Sequence, residues 1–164
     1  MTHNIVLLVE NHHGVLARIS GLFAGRGYNL ESLTVGVTMD PTVSRITLTC
    51  GGDDMIIEQI KKQLNRLIDV VKVIDLTSKP SVDREAALIK VPARHNQRGE
   101  IFQVADVFKG QVMDVGADSK ILELVGSPDK IKDFLAVLSP YGVLEVARSG
   151  LVSMERGKKM RGKG

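Results

Sequence analysis

Two stretches of the chain carry the same order of hydrophobic periodicities, and this repetition constrains the fold more than any other feature. In the first, Ile5, Val6, Leu7, Leu8 and Val9 form an apolar run that reads as a strand over 4–10, buried on both faces. Asn11-His12-His13-Gly14 supplies turn chemistry, and Leu16, Ile19, Leu22 and Phe23 then fall on one helical face that closes at Gly25-Arg26-Gly27. Residues 28–38 are extended, with Leu33, Val35 and Val37 alternating. Asp40-Pro41-Thr42 turns the chain, and 43–50 returns through Val43, Ile46 and Leu48 as a hairpin. Asp53 and Asp54 suit the start of a helix carrying Ile56, Ile57, Ile60, Leu64 and Leu67, and a strand over 70–76 follows.

After Lys79-Pro80-Ser81 the order recurs. Strand 86–91 precedes a helix marked by Ile101, Val104, Ala105 and Phe108. A hairpin joins 111–115 to 121–125 around Gly116-Ala117-Asp118-Ser119. Ser127-Pro128-Asp129 combines a serine N-cap, proline at the first helical position and an early carboxylate. Ile131, Phe134, Leu135 and Leu138 carry that helix, and 143–147 reads as the final strand. The expected fold class is therefore α+β: two successive ferredoxin-like βαββαβ domains with antiparallel sheets. The expected divisions are 1–78, a linker at 79–82, 83–155, and a basic tail at 156–164. Each half is near the size at which a lone core is marginal, and each leaves sheet edges to cover, so a homodimer is expected.

Charge bears on the choice of partner. The net charge of +3 suggests nucleic acid only until its location is examined. Of 22 Lys and Arg, the five at Arg156, Lys158, Lys159, Arg161 and Lys163 sit at the end; the remaining 17 face 19 Asp and Glu. The body is slightly acidic, and the Gly-rich end reads as a solvated tail. With aromatics at 4% and no Trp, stacking platforms for bases are few, so no nucleic acid is expected. Cys50 is the only cysteine, no secretory leader is visible, and no apolar run approaches the ~20 residues of a membrane span. These features lead to the expectation of a cytoplasmic chain without a membrane partner.

Catalysis has no visible home. His12 and His13 lie on a loop without a helical His-x-x-x-His pair or a cysteine cluster, so no metal is expected. Ser44, Ser119, Ser127 and Ser149 lack a Gly-x-Ser-x-Gly context, and Cys50 sits mid-strand as a small core residue. Glu10 and Glu31 offer a conceivable carboxylate pair, and a phosphate-binding Gly-x-x-x-x-Gly-Lys-Ser/Thr loop is missing. Two clusters point to binding instead. Gly14, at a helix start, permits close backbone approach and leaves first-turn N–H groups facing a carboxylate. Asn29 opens the second strand with both an amide donor and a carbonyl acceptor, which suits a free amino acid. A dimer placing two sheets edge to edge would bring Asn29 near the Gly14 turn of the other chain.

These residues also carry a resemblance. The Glu10-Asn11-x-x-Gly14-Val15-Leu16 turn looks like that of ACT domains, amino-acid-sensing modules of βαββαβ fold. The string Arg26-Gly27-Tyr28-Asn29-Leu30-Glu31-Ser32-Leu33-Thr34-Val35, with Asp40-Pro41-Thr42 and Ser44-Arg45-Ile46-Thr47, resembles the small regulatory subunit family of acetohydroxyacid (acetolactate) synthase. The likeness continues through Glu58-Gln59-Ile60-x-Lys62-Gln63-Leu64, Arg84-Glu85 and Glu145-Val146-Ala147-Arg148-Ser149-Gly150. Gly36-Val37 departs from the family, which commonly has a small residue followed by proline there.

The resemblance implies an N-terminal ACT domain, an ACT-like second domain and no catalytic residues of the chain's own. It further implies a partner, the catalytic large subunit, which would hold thiamine diphosphate, Mg and FAD while this chain holds no cofactor. Feedback inhibition by valine in branched-chain amino acid synthesis is implied as well. The effector would bind between ACT domains of a homodimer, on Asn11, Gly14, Val15 and Leu16 of one chain and Asn29 and Leu30 of the other. Two other readings of the residues stay open here: a free-standing ACT-type sensor of another enzyme or of transcription, and a small ferredoxin-like enzyme.

Overall fold

The computed structural model describes residues 2–157. The chain divides into two compact units: residues up to Val82 together with the stretch from Leu151 onward, and Asp83–Gly150. The final stretch, expected to close the second domain, is thus grouped with the first.

The first unit runs β1 (Thr2–Glu10), α1 (Val15–Ala24), β2 (Leu30–Val37), β3 (Val43–Gly51), α2 (Asp54–Leu64) and β4 (Val70–Asp75). Its antiparallel sheet has the order β2-β3-β1-β4, so the first two strands in sequence are not neighbours. Strand alternation sends Ile5, Leu7 and Val9 of β1 and Ile46, Leu48 and Cys50 of β3 to one face. There they meet Val15, Ile19 and Phe23 of α1 and Ile57, Ile60 and Leu64 of α2. α2 starts where the paired acids indicate: Asp53 is the N-cap, and its carboxylate accepts the Ile56 N–H at 2.9 Å.

The second unit contains β5 (Ser81–Pro92), α3 (Arg98–Phe108), β6 (Gln111–Val115), β7 (Ser119–Gly126), α4 (Pro128–Leu138) and β8 (Glu145–Arg148), with a 3₁₀ turn at His95–Gln97 and another at Ser139–Tyr141. Its strands are ordered β6-β7-β5-β8 and are antiparallel. Ala87, Ile89, Val91, Leu122 and Leu124 pack beneath Ile101, Ala105, Ile131, Phe134 and Leu138. The Ser-Pro-Asp signature sits where the sequence places it. Ser127 is the N-cap of α4, its hydroxyl accepting the Lys130 N–H, with Pro128 opening the helix.

Four expectations need correction. Residues 143–147 do not form the last strand: β9 (Val152–Glu155) follows and pairs β5. β5 itself begins at Ser81 rather than Ala86, because Arg156 donates its N–H to the Pro80 carbonyl and gives that end a partner. β1 is fully buried at Val6 but not on its whole second face, since Leu8 is only half-buried. Leu16 does not share the buried face of α1 with Ile19 and Phe23. The buried stripe of α1 is Val15, Ile19 and Phe23, with an exact four-residue step, and Leu16, turned about 100° from Val15, stays 43% exposed.

The second face of the first sheet meets the chain's end. Arg45 of β3 donates to the Ser153 carbonyl at 2.6 Å, and Ser32 of β2 accepts the Leu151 N–H at 3.0 Å. No helix among the described residues is long and apolar enough to cross a membrane. The basic tail lies outside the described residues except for Arg156 and Gly157.

Candidate functional site

The loop from β1 to α1 is fixed by its own backbone. Glu10 N–H donates to the Asp69 carbonyl at 2.9 Å, and Asn11 N–H to the Thr42 carbonyl at 2.8 Å. The Asn11 side chain donates its Nδ2 hydrogen to the Pro41 carbonyl at 2.9 Å, which leaves Oδ1 as the acceptor it can offer a ligand. At the loop's end Gly14 adopts φ +86° and serves as the N-cap of α1. A residue with a Cβ is strained there, whereas space is not the issue: nothing lies within 4 Å of where a Cβ would stand.

The start of α1 is bare. No side chain caps it and no acid lies in its first turn, in contrast to Asp53 on α2 and Ser127 on α4. The first helical bond runs from Arg18 N–H to the Gly14 carbonyl, so the N–H groups of Val15, Leu16 and Ala17 have no acceptor within the helix. Together with the helix dipole they favour an anion. Val15 is buried and anchors the turn in the core, while the exposed Leu16 leaves an apolar surface beside the donors.

The structure brings Asn11, Gly14, Val15 and Leu16 together but leaves Asn29 and Leu30 elsewhere. Asn29 is exposed just before β2, past the far end of α1, and Leu30 is half-buried against the core. Tyr28 holds this end by edge contact with Phe23, and its hydroxyl donates to Gln59 Oε1 at 3.2 Å. A helix of α1's length spans about 15 Å, so Asn29 and Gly14 of one chain cannot grip the same small ligand. β2 is an edge strand that exposes Val35 and Val37. The supposed Glu10–Glu31 pair does not form: Glu10 ends β1 opposite Val43, whereas Glu31 lies by Gly51, which pairs Thr2 at the other end of that strand.

One group of residues was not legible in advance. Asp69, 4% exposed, accepts from His12 Nε2 at 2.9 Å and from the Arg18 guanidinium, and His12 Nε2 also faces Glu10 at 3.2 Å. The hydrogen bond to the His13 carbonyl raises the His12 pKa above its ordinary value, with Asp69 and then Glu10 acting in the same direction against some desolvation. Glu10, His12 and Asp69 together present three potential ligand atoms within 4.8 Å of one another. Arg18 already occupies Asp69, so the set is arranged as a polar network that ties the loop and α1 to the approach of β4. Arg18 and Asp69 stand 51 residues apart, a separation that leaves no local signal.

With this geometry in view, the chain's likeness to other proteins can be stated. Residues 5–72 match the family model of the AHAS small subunit-like ACT domain, and residues 84–157 match that of the small subunit of acetolactate synthase. The chain is 46% identical over 158 residues to the acetolactate synthase small subunit of Mycolicibacterium smegmatis, covering 96% of this chain and 93% of that one. It is 48% identical over 155 residues to the Aquifex aeolicus counterpart, covering 94% and 81%. The crystal structure of the acetolactate synthase small subunit from Thermotoga maritima superimposes with a TM-score of 0.88 at 39% identity, over 97% of this chain and 99% of that one.

Proposed function

The chain belongs to the acetolactate synthase small-subunit family, the non-catalytic regulatory partner of the catalytic large subunit, and from that premise we propose that it senses valine at a site shared by two copies of itself. The single observation that carries this reading is the bare start of α1: a left-handed Gly14 beneath three N–H groups with no helical acceptor. An amino acid's carboxylate satisfies them, through charge-assisted bonds of roughly 1.5–3 kcal/mol each. Asn11 Oδ1 takes the ammonium, and Leu16 lies beside an aliphatic side chain. Less the entropy of binding, two or three such bonds give an affinity of order micromolar to millimolar, suited to metabolite sensing.

The second half of the site comes from a second copy. Asn29 and Leu30 stand about a helix length from Gly14 in their own chain, and β2 beside them is the edge strand of its sheet. Pairing the edges of two chains in a twofold dimer carries each Asn29 toward the partner's Gly14 turn. A site built from two chains couples ligand binding to dimer geometry, which supplies the differential affinity that allostery requires. In this proposal the chain raises the activity of the catalytic subunit, and valine reverses the gain. Thiamine diphosphate, Mg and FAD belong to the catalytic subunit.

The test is complementation between Gly14→Asp and Asn29→Ala, each expected to lose valine binding alone. Mixing the two before refolding pairs one intact half-site with another in mixed dimers, which should restore roughly a quarter of the valine sites if subunits pair at random. No recovery in verified mixed dimers would place the whole site within one chain.

A further inference from the structure

β7 alternates Lys120, Leu122 and Leu124 toward the face that α3 and α4 cover, and all three are buried, Lys120 and Leu122 completely. The leucines are ordinary core residues. A lysine at such a position needs acceptors for its three N–H donors, and Lys120 Nζ has no hydrogen-bond partner among the described residues. Nζ lies 5.7 Å from the ring centroid of Phe102, one turn into α3. That contact covers one side of the ammonium and leaves its remaining donors unmatched.

The charge that acts on it is of the wrong sign. Burial first, and then Arg98 at the first position of α3, push the Lys120 pKa below its ordinary value. Arg98 Nε is itself buried without a partner, as is Oε1 of Gln97, the residue that caps α3. That cap makes no side-chain hydrogen bond to the first turn of α3, which continues directly from the 3₁₀ turn His95–Gln97. The only acid of this turn, Glu100, is engaged with the Tyr141 hydroxyl. Arg98 precedes Phe102 by one helical turn on α3, so Arg98 and Lys120 lie toward the same end of that helix, where Glu100 is the one acid of the first turn.

We propose that Lys120, Arg98 and the first turn of α3 form an oxyanion site in the second unit, built to take a phosphate or carboxylate group. The donor set suits that chemistry: a planar guanidinium fork, a compact ammonium and backbone N–H groups at a positive helix end. The oxyanion comes either from a free ion or from an acidic side chain of the catalytic subunit. The site uses none of the residues assigned to valine, so it stands or falls independently of that reading.

Inorganic phosphate is titrated at constant ionic strength into the full wild-type chain, Lys120→Met and Arg98→Gln, following the thermal midpoint and the heat of binding. Binding of each protein to the catalytic subunit is measured in phosphate-free buffer. Lys120→Met keeps the stem and drops the charge, so it should melt above wild type when no phosphate is present. A free-ion site predicts a saturable phosphate response in wild type and a loss of affinity of about tenfold or more in both variants. A site filled by the catalytic subunit predicts no phosphate response, with both variants binding that subunit about tenfold or more weakly. A wild-type chain that ignores phosphate, together with variants that bind the catalytic subunit as tightly as it does, overturns the proposal. Arg98→Gln carries the same comparison if Lys120→Met fails to fold.

Discussion

Replacing Gly14 by aspartate should separate effector binding from folding. At φ +86° any Cβ costs about 1 kcal/mol, but with nothing within 4 Å of that position the new side chain meets no clash in its own chain. The larger effect is electrostatic. The carboxylate can turn onto the first-turn N–H groups of α1 meant for the effector, and it repels the effector's own carboxylate. At about 4 Å and an effective dielectric near 20 that repulsion is roughly 4 kcal/mol, and half of it weakens binding by about 30-fold. Folding suffers less, because an acid at a helix start returns roughly 0.3–1 kcal/mol, and α1 has no other. The net cost of under about 1 kcal/mol moves the melting midpoint by no more than about 2–4 °C in a chain of this size. Gly14→Ala, which carries the strain without the charge, separates the two contributions and should lose far less affinity. Isothermal titration of valine into the three proteins, with thermal melts and assays of the reconstituted enzyme, reads all of these. Unchanged valine affinity in folded Gly14→Asp protein would move the site away from this turn.

His12 should titrate above its ordinary 6.5 by NMR, and Asp69→Asn should lower it; because the folded value is raised, the stability His12 adds is complete below the unfolded pKa and fades as pH rises through the folded one. A His12 that titrates at or below its ordinary value would dismiss the ion-pair network. Cys50, whose thiol is pushed up to about 11 by burial first and then by Glu31 and Asp75, should resist alkylation in the native chain at pH 8 and react fully once unfolded. Removing residues 158–164 should leave valine inhibition unchanged at matched ionic strength, whereas a cut before Arg156 also deletes its bonds to Pro80 and Ser81 and should lower the melting midpoint by a few degrees. Ser127→Ala should cost about 1 kcal/mol by denaturant melts, since its hydroxyl caps α4.

What could be read from the sequence was local. The switch between two- and 3.6-residue periods marks both βαββαβ units, the Ser-Pro-Asp start marks one helix cap to the residue, and the Asp53-Asp54 pair marks the start of another helix. Gly14 was legible because a glycine between a strand and a helix has few other uses. β9 escaped because four residues with two apolar side chains carry little periodicity, and its place depends on Arg45, 108 residues away from Ser153. Leu16 shares a loose i, i+3 pattern with Ile19, but packing selects the Val15, Ile19 and Phe23 stripe. Lys120 lies in a hairpin where a charge is ordinary, yet the alternation Lys120-x-Leu122-x-Leu124 places it inward. The Asp69 network joins three separate elements and had no signature at all.

Whether this chain regulates a separate catalytic subunit through valine is decided by acetolactate formation in a reconstitution. Increasing amounts of the chain are added to a fixed amount of purified catalytic subunit, and valine is then titrated at saturation. The chain alone should make no acetolactate, and activity should rise saturably on mixing and fall with valine at micromolar to millimolar concentrations. Acetolactate made by the chain alone, or a mixture whose activity neither rises with the chain nor falls with valine, would contradict this regulatory role.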